Sequence, residues 1–159
     1  MTADAQHRIE WRGWTPVGRT NPKPTRRGCR LSLVQTPQTR AALRYLTLQA
    51  RASWSGPPLE VPLAIHAVFV FAPPKSWPDW KRAAALAGDI PHATKPDASN
   101  LLKLLEDACT QAEVWRDDAQ IVEATTLKRY GPTPGASLYI FERDPVPSTR
   151  ADYTPQRSA

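Results

Sequence analysis

Between Lys95 and Ile121 the chain reads KPDASNLLKLLEDACTQAEVWRDDAQI. Asp97 stands just before a predicted helix, Lys103 falls in its first turns, and the pair Asp117–Asp118 follows it. A short helix turned back onto a sheet would bring Asp97 and that acidic pair together. Grouped carboxylate oxygens suit hard divalent ions such as Mg²⁺ or Mn²⁺. An ion so held activates water and takes up charge on a leaving oxygen, which phosphodiester hydrolysis requires. At a helix N-terminus Asp97 also lies where the macrodipole favours an anion. Neighbouring acids on an extended strand point to opposite faces, so one of Asp117 and Asp118 is expected to face Asp97.

The charge distribution points the same way. The 159 residues carry 21 Lys or Arg against 15 Asp or Glu. From Arg8 to Arg51 there are ten bases and one acid, Glu10; from Asp97 to Glu123 there are seven acids and two bases. A basic region suits a phosphate backbone, and a separate acidic patch suits a metal ion. Cys29 and Cys109 have no metal-ligand spacing, so neither a zinc site nor a disulfide framework is expected. The scattered His7, His66 and His92 argue against a histidine-rich metal site. No apolar run is long enough to cross a membrane, and the N-terminus lacks a signal-peptide pattern.

These residues need elements to position them. HRIEWRGW and LSLVQ alternate enough to be strands, and the Pro-, Gly- and Arg-rich TPVGRTNPKPTRRGCR between them reads as a loop. Thr36 and Pro37 start a helix that runs to about Trp54, with Ala41, Ala42, Tyr45, Leu46, Leu48 and Ala52 as its apolar side. LEVPLAIHAVFVFA is apolar on both faces and reads as a central strand. SWPDWKRAAALAG is a short helix, followed by a loop from Asp89 to Lys95. The spacing of Leu101, Leu104, Leu105, Ala108 and Ala112 predicts a helix over 100–112, capped by Ser99 or Asn100. AQIVEATTLKRY and ASLYIFE are strands, joined across GPTPG as a hairpin. Residues 1–145 form one domain, and 146–159, rich in Pro and Ser, a flexible tail.

The spacing of the central motif resembles that of the RusA-type Holliday junction resolvases. Pro96-Asp97-Ala98-Ser99-Asn100-Leu101-Leu102-Lys103, then Asp107-Ala108, then Trp115-Arg116-Asp117-Asp118-Ala119-Gln120-Ile121 match the family's spacing across the whole segment. Thr36-Pro37 with Thr39 resembles the family's helix start. Lys81-Arg82 and the loop ending in Lys95 resemble its phage-borne branch, and Lys128 fits the basic position after the last acidic pair. The resemblance implies an α+β domain, with a mixed sheet packed by two main helices, acting as a homodimer. It implies binding to four-way DNA junctions, paired symmetric nicks with Mg²⁺ or Mn²⁺, and a cytoplasmic bacterial or prophage setting. By motif position Asp97 and Asp118 would be metal ligands, and Lys103 would contact the scissile phosphate or steady the leaving group.

One position departs from the pattern. The family's second carboxylate is Ser99 here, which could hold a metal-bound water or simply cap the helix. Asp117, Glu106 or Asp107 could compensate; otherwise the site runs on fewer carboxylates, or the protein binds junctions and cuts poorly. Lys103 has a plainer reading as a partner for Glu106 or Asp107 at helical spacing. Asp107 reads as structural, Asp117 as a solvated strand-end acid, and Trp115 as packing. Arg19, Lys23, Arg26, Arg27 and Arg30, with Lys81, Arg82, Lys95 and Lys128, are candidate phosphate contacts, which carry no base specificity. Trp77 and Trp80 flank a Pro-Asp turn and suit either a subunit interface or DNA. A structure-specific DNA-binding protein and a general or RNA nuclease are the competing functions.

Overall fold

The strand predicted to be central is central. It is β4 in a chain that runs β1 (His7–Arg12), β2 (Lys23–Arg27), β3 (Arg30–Val34), α1 (Pro37–Ser53), β4 (Leu63–Phe71), α2 (Asp79–Ala87), α3 (Ala98–Gln111), β5 (Ile121–Tyr130) and β6 (Gly135–Glu142). This computed structural model describes the backbone of residues 5–20, 23–27 and 30–144, and side chains outside 21–34. The expected tail, 146–159, lies outside the described residues, as does Cys29.

The main sheet has the order β1-β6-β4-β5. β6 runs antiparallel to both β1 and β4, whereas β4 and β5 are parallel. The fold is therefore α+β with a mixed sheet. Ile65, Ala67, Phe69 and Phe71 of β4 meet Ile9, Trp11, Leu138 and Ile140 in one core with the buried faces of α1 and α3. The two helices also pack against each other.

Local chemistry explains the helices. Thr36 caps α1 by accepting the amide of Thr39, and Pro37 occupies the first turn. Its buried face is Thr39, Ala42, Leu46 and Ala50, at spacings of three and four. The expected apolar side is corrected accordingly: Ala41, Leu48 and Ala52 are exposed, because packing selects a stripe that includes a threonine. α3 buries Leu101, Leu104, Leu105, Ala108 and Cys109 as its periodicity demands. It starts at Ala98, so Asp97 is the cap residue, while Ser99 and Asn100 lie inside the first turn instead of capping it.

Two further corrections concern strands. The segment read as a loop contains β2, which pairs antiparallel with β3 as a separate two-stranded sheet. Ladder bonding needs no apolar alternation, and Pro24 is tolerated on a strand that bonds on one side only. β5 and β6 do not form a hairpin. β4 lies between them, and Gly131 to Pro134 carry the chain across its end. The amide of Gly131 donates to the Phe71 carbonyl at 2.9 Å. A Cβ on Gly131 would come within 2.5 Å of Val70 Cγ1, so this crossing requires glycine.

Candidate active site

Two acids of the motif flank α3 in the chain: Asp97 at its start, and Asp118 in the turn before β5. Asp97 is placed by the loop before it. Residues 16–20 lie against the start of α3, where the Arg19 amide donates to the Asn100 carbonyl at 3.0 Å. Gly18 permits the approach, since a Cβ there would lie 2.9 Å from Pro96 Cβ. The result is a cleft of about 470 Å³ lined by Gly18, Arg19, Thr20, Lys95, Asp97 and Asn100, among others. Asn100 Nδ2 is 3.5 Å from Asp97 Oδ2. The root of the β2–β3 hairpin is tied to α1 beside this cleft. Thr20 Oγ1 lies 2.9 Å from Thr36 Oγ1 and 2.8 Å from Thr39 Oγ1.

Asp118 is placed by a short 3₁₀ turn, Asp118–Gln120, ahead of β5. Asp117 caps this turn by accepting the Ala119 amide at 2.8 Å. Gln120 fastens the turn to the body of the protein. Its Oε1 accepts the amides of Arg116 and Asp117, and its Nε2 donates to the carbonyls of Leu59 and Val61, all at 3.0 Å. The two acids have different partners: Asp117 caps the turn and also bonds the side chain of Asp118, and Asp118 reaches Lys103 of α3. Because they sit at a turn and not along a strand, the expected separation to opposite faces does not apply.

Lys103 receives Asp118. Its Nζ donates to Asp118 Oδ2 at 2.6 Å and lies 3.8 Å from Glu106 and 3.9 Å from Asp107. Three carboxylates therefore surround one ammonium. The bond to Asp118 raises the Lys103 pKa, and the bond from Lys103 lowers that of Asp118. Glu106 is pushed up, chiefly by burial, against the attraction of Lys103. Asp107 is held in turn by Arg19, with Nη1 to Oδ2 at 2.9 Å.

The structure thus brings Asp118 to Lys103, with Glu106 and Asp107 alongside, and sets Asp97 at the cleft. Ser99 is exposed in the first turn of α3. Among the described residues no three His, Cys, Asp or Glu stand together as a metal-binding group. The donor set is nonetheless all oxygen, the kind a hard ion takes. Mg²⁺ characteristically uses one or two carboxylates and completes its shell with water and substrate phosphate. Asp97 and Asp118 fit that pattern in kind.

The expected phosphate contacts are dispersed. Arg19 is ion-paired to Asp107, and Lys95 lines the cleft. The Lys81 ammonium sits 4.2 Å from the centre of the Trp77 ring, and Arg82 lies 3.6 Å from Asp79. Lys23, Arg26, Arg27 and Arg30 lie on the β2–β3 hairpin, with Arg27 opposite Arg30, and their side chains are outside the described residues. Lys128 is bonded to backbone: its Nζ donates to the carbonyls of Thr94 at 2.6 Å and Pro96 at 2.8 Å. Trp77 packs edge-on against Tyr130, whereas Trp80 is 70% exposed. Trp115 is buried as packing, its Nε1 donating to Thr110 Oγ1 at 2.8 Å.

A family model described as Endodeoxyribonuclease RusA matches residues 13–140. The chain belongs to the RusA family of Holliday junction resolvases. A comparison with curated proteins finds no match. In this RusA-family chain the matched span covers everything from β2 through most of β6, and so every residue of the acidic site. The motif spacing alone assigns Gln120 no role. The signal was available: an acid followed three residues later by Gln is a capping-box pattern, and Asp117 with Gln120 forms that box. The threonine cluster at the hairpin root was only half legible, since Thr20 lies far from Thr36 in the chain.

Proposed function

We propose that this protein is a metal-dependent endodeoxyribonuclease that binds four-way DNA junctions and resolves them by paired symmetric nicks. The reading is carried by one observation. The lysine and the acid that the family motif sets fifteen residues apart are bonded at 2.6 Å, inside a span matched to a junction-cutting family. On this reading Asp97 and Asp118 hold Mg²⁺ or Mn²⁺, with Ser99 adding a metal-bound water and Asp117 supporting the turn. The ion, when bound, supplies an acidic water and a sink for charge on the leaving oxygen. Lys103, whose ammonium bonds Asp118 in this structure, would donate to the scissile phosphate. A homodimer explains paired nicks, because a two-fold axis delivers like sites to like strands. Lys81, Arg82 and Lys95, with the bases of the β2–β3 hairpin, contact backbone phosphate on this reading. No helix among the described residues is long and apolar enough to cross a membrane.

The deciding experiment incubates the protein with a synthetic four-way junction, a linear duplex, a flap and an RNA duplex, with and without each ion. Symmetric junction nicks that need Mg²⁺ or Mn²⁺ are expected. Tight junction binding with no nick in either ion would refute the enzyme reading, and equal cutting of linear or RNA substrates would refute its specificity.

A second reading is favoured by Ser99, which stands where the family pattern has a carboxylate. It makes the protein a structure-specific DNA-binding protein that cuts weakly. Under it, Ser99→Asp raises cutting greatly; under the first reading the gain is small.

A further inference from the structure

Lys128 has the composition of a DNA contact and the geometry of something else. It projects from β5, half-buried, opposite Phe69 of β4. Two of its three ammonium protons are used on the carbonyls of Thr94 and Pro96, at 2.6 and 2.8 Å. Those carbonyls belong to the irregular stretch that ends at Asp97, where no helix or sheet partner serves them. The same stretch is held at two other points. His92 is buried, stacked 3.9 Å from the centre of Phe71 and 4.9 Å from Tyr130. Gly18 closes over Pro96 from the opposite side. Asp97 follows Pro96 directly, and its carbonyl accepts the Leu101 amide at 3.1 Å to begin α3.

We infer that Lys128 is a positioning residue: it locks the 94–96 backbone and thereby fixes the carboxylate of Asp97 at the cleft, and it does not contact DNA. This rests on the proposed role of Asp97. A carboxylate that shares an ion with substrate phosphate must be held to within about half an ångström, and a loop cannot achieve that without external support. A flexible lysine stem capped by a strongly solvated charge stays folded onto two carbonyls only where their bonds replace its water.

The test compares Lys128→Met, which keeps the bulk of the stem, with Lys128→Gln, which keeps two N–H donors without charge. Three quantities are read: amide hydrogen exchange across 91–101, the salt dependence of junction binding, and the single-turnover nicking rate at saturating protein. For Lys128→Met we expect exchange in that segment to rise about tenfold and nicking to fall roughly 10- to 100-fold, the usual effect of losing support for a ligand. Junction affinity and its salt slope stay at wild-type values. Lys128→Gln recovers part of the protection and of the rate. The inference is overturned if Lys128→Met leaves exchange across 91–101 unchanged. It is equally overturned if the salt slope falls by about one phosphate, close to 0.9, in either variant. Should Lys128→Met not fold, Lys128→Gln provides the same three readings. Should wild-type protein cut nothing, the functional reading fails by itself, and exchange with salt slope still decides what Lys128 holds.

Discussion

At the scale of single residues, the ammonium of Lys103 is the pivot of the site. It already does what a cation would do, neutralising Asp118 with Glu106 and Asp107 close by. Asp118 is 43% exposed, so the pair sits at the surface, where an ion or a phosphate can reach it. Asp118→Asn removes the ammonium's main partner and, on the proposed function, one charge that would repel the DNA backbone. We expect nicking to be abolished while junction affinity holds or rises, measured by gel shift and cleavage on the same substrate. A collapse of binding would instead make Asp118 a structural acid. The approach of Lys103 to Glu106 and Asp107 was legible in the sequence from helical spacing, whereas its bond to Asp118 was not, because it joins two different elements. Nor was the place of Lys128, because a lysine that serves backbone carbonyls leaves no trace in its neighbours' identities.

At the scale of elements, legibility followed locality. α1 and α3 were readable because caps and apolar spacing are written within a few residues. The parallel pairing of β4 with β5, and the insertion of β6 between β4 and β1, were not, because strand partners are chosen by burial across the whole chain. β2 was hidden by its prolines and arginines, which resemble a loop in any local window. The turn that aims Asp118 depends on Gln120, whose amide satisfies four backbone groups. Gln120→Ala leaves those groups without their partner and should cost about 1–3 kcal/mol. The measurement is the urea midpoint, and nicking should fall with it because Asp118 loses its support. A variant as stable as wild type would show that the turn holds by other bonds.

At the scale of the molecule, the acidic stretch and the basic region meet at two ion pairs among the described residues. Arg19 reaches Asp107, and Arg51 reaches Glu113. Chain folding thus cancels part of the segregation apparent in the sequence, leaving the acids around Lys103 as the local concentration. Overall stability should carry a signature of His92. Burial, with the Lys128 charge nearby, lowers its pKa from 6.5, and its Nδ1 has no hydrogen-bond partner among the described residues. The unfolded chain therefore binds the proton more readily than the native one. The contribution of the neutral ring is complete above about pH 6.5 and is lost as pH falls toward its lowered value. His92→Phe should flatten that part of the pH–stability curve, read from melting temperatures between pH 5 and 7.5. The place of β6 has a consequence for biosynthesis. β1 emerges first from the ribosome but bonds only to β6, the last strand described, which also covers one edge of β4. The sheet cannot close until β6 has been made. Every growing copy therefore exposes the bare flank of its most apolar strand until translation has passed residue 142.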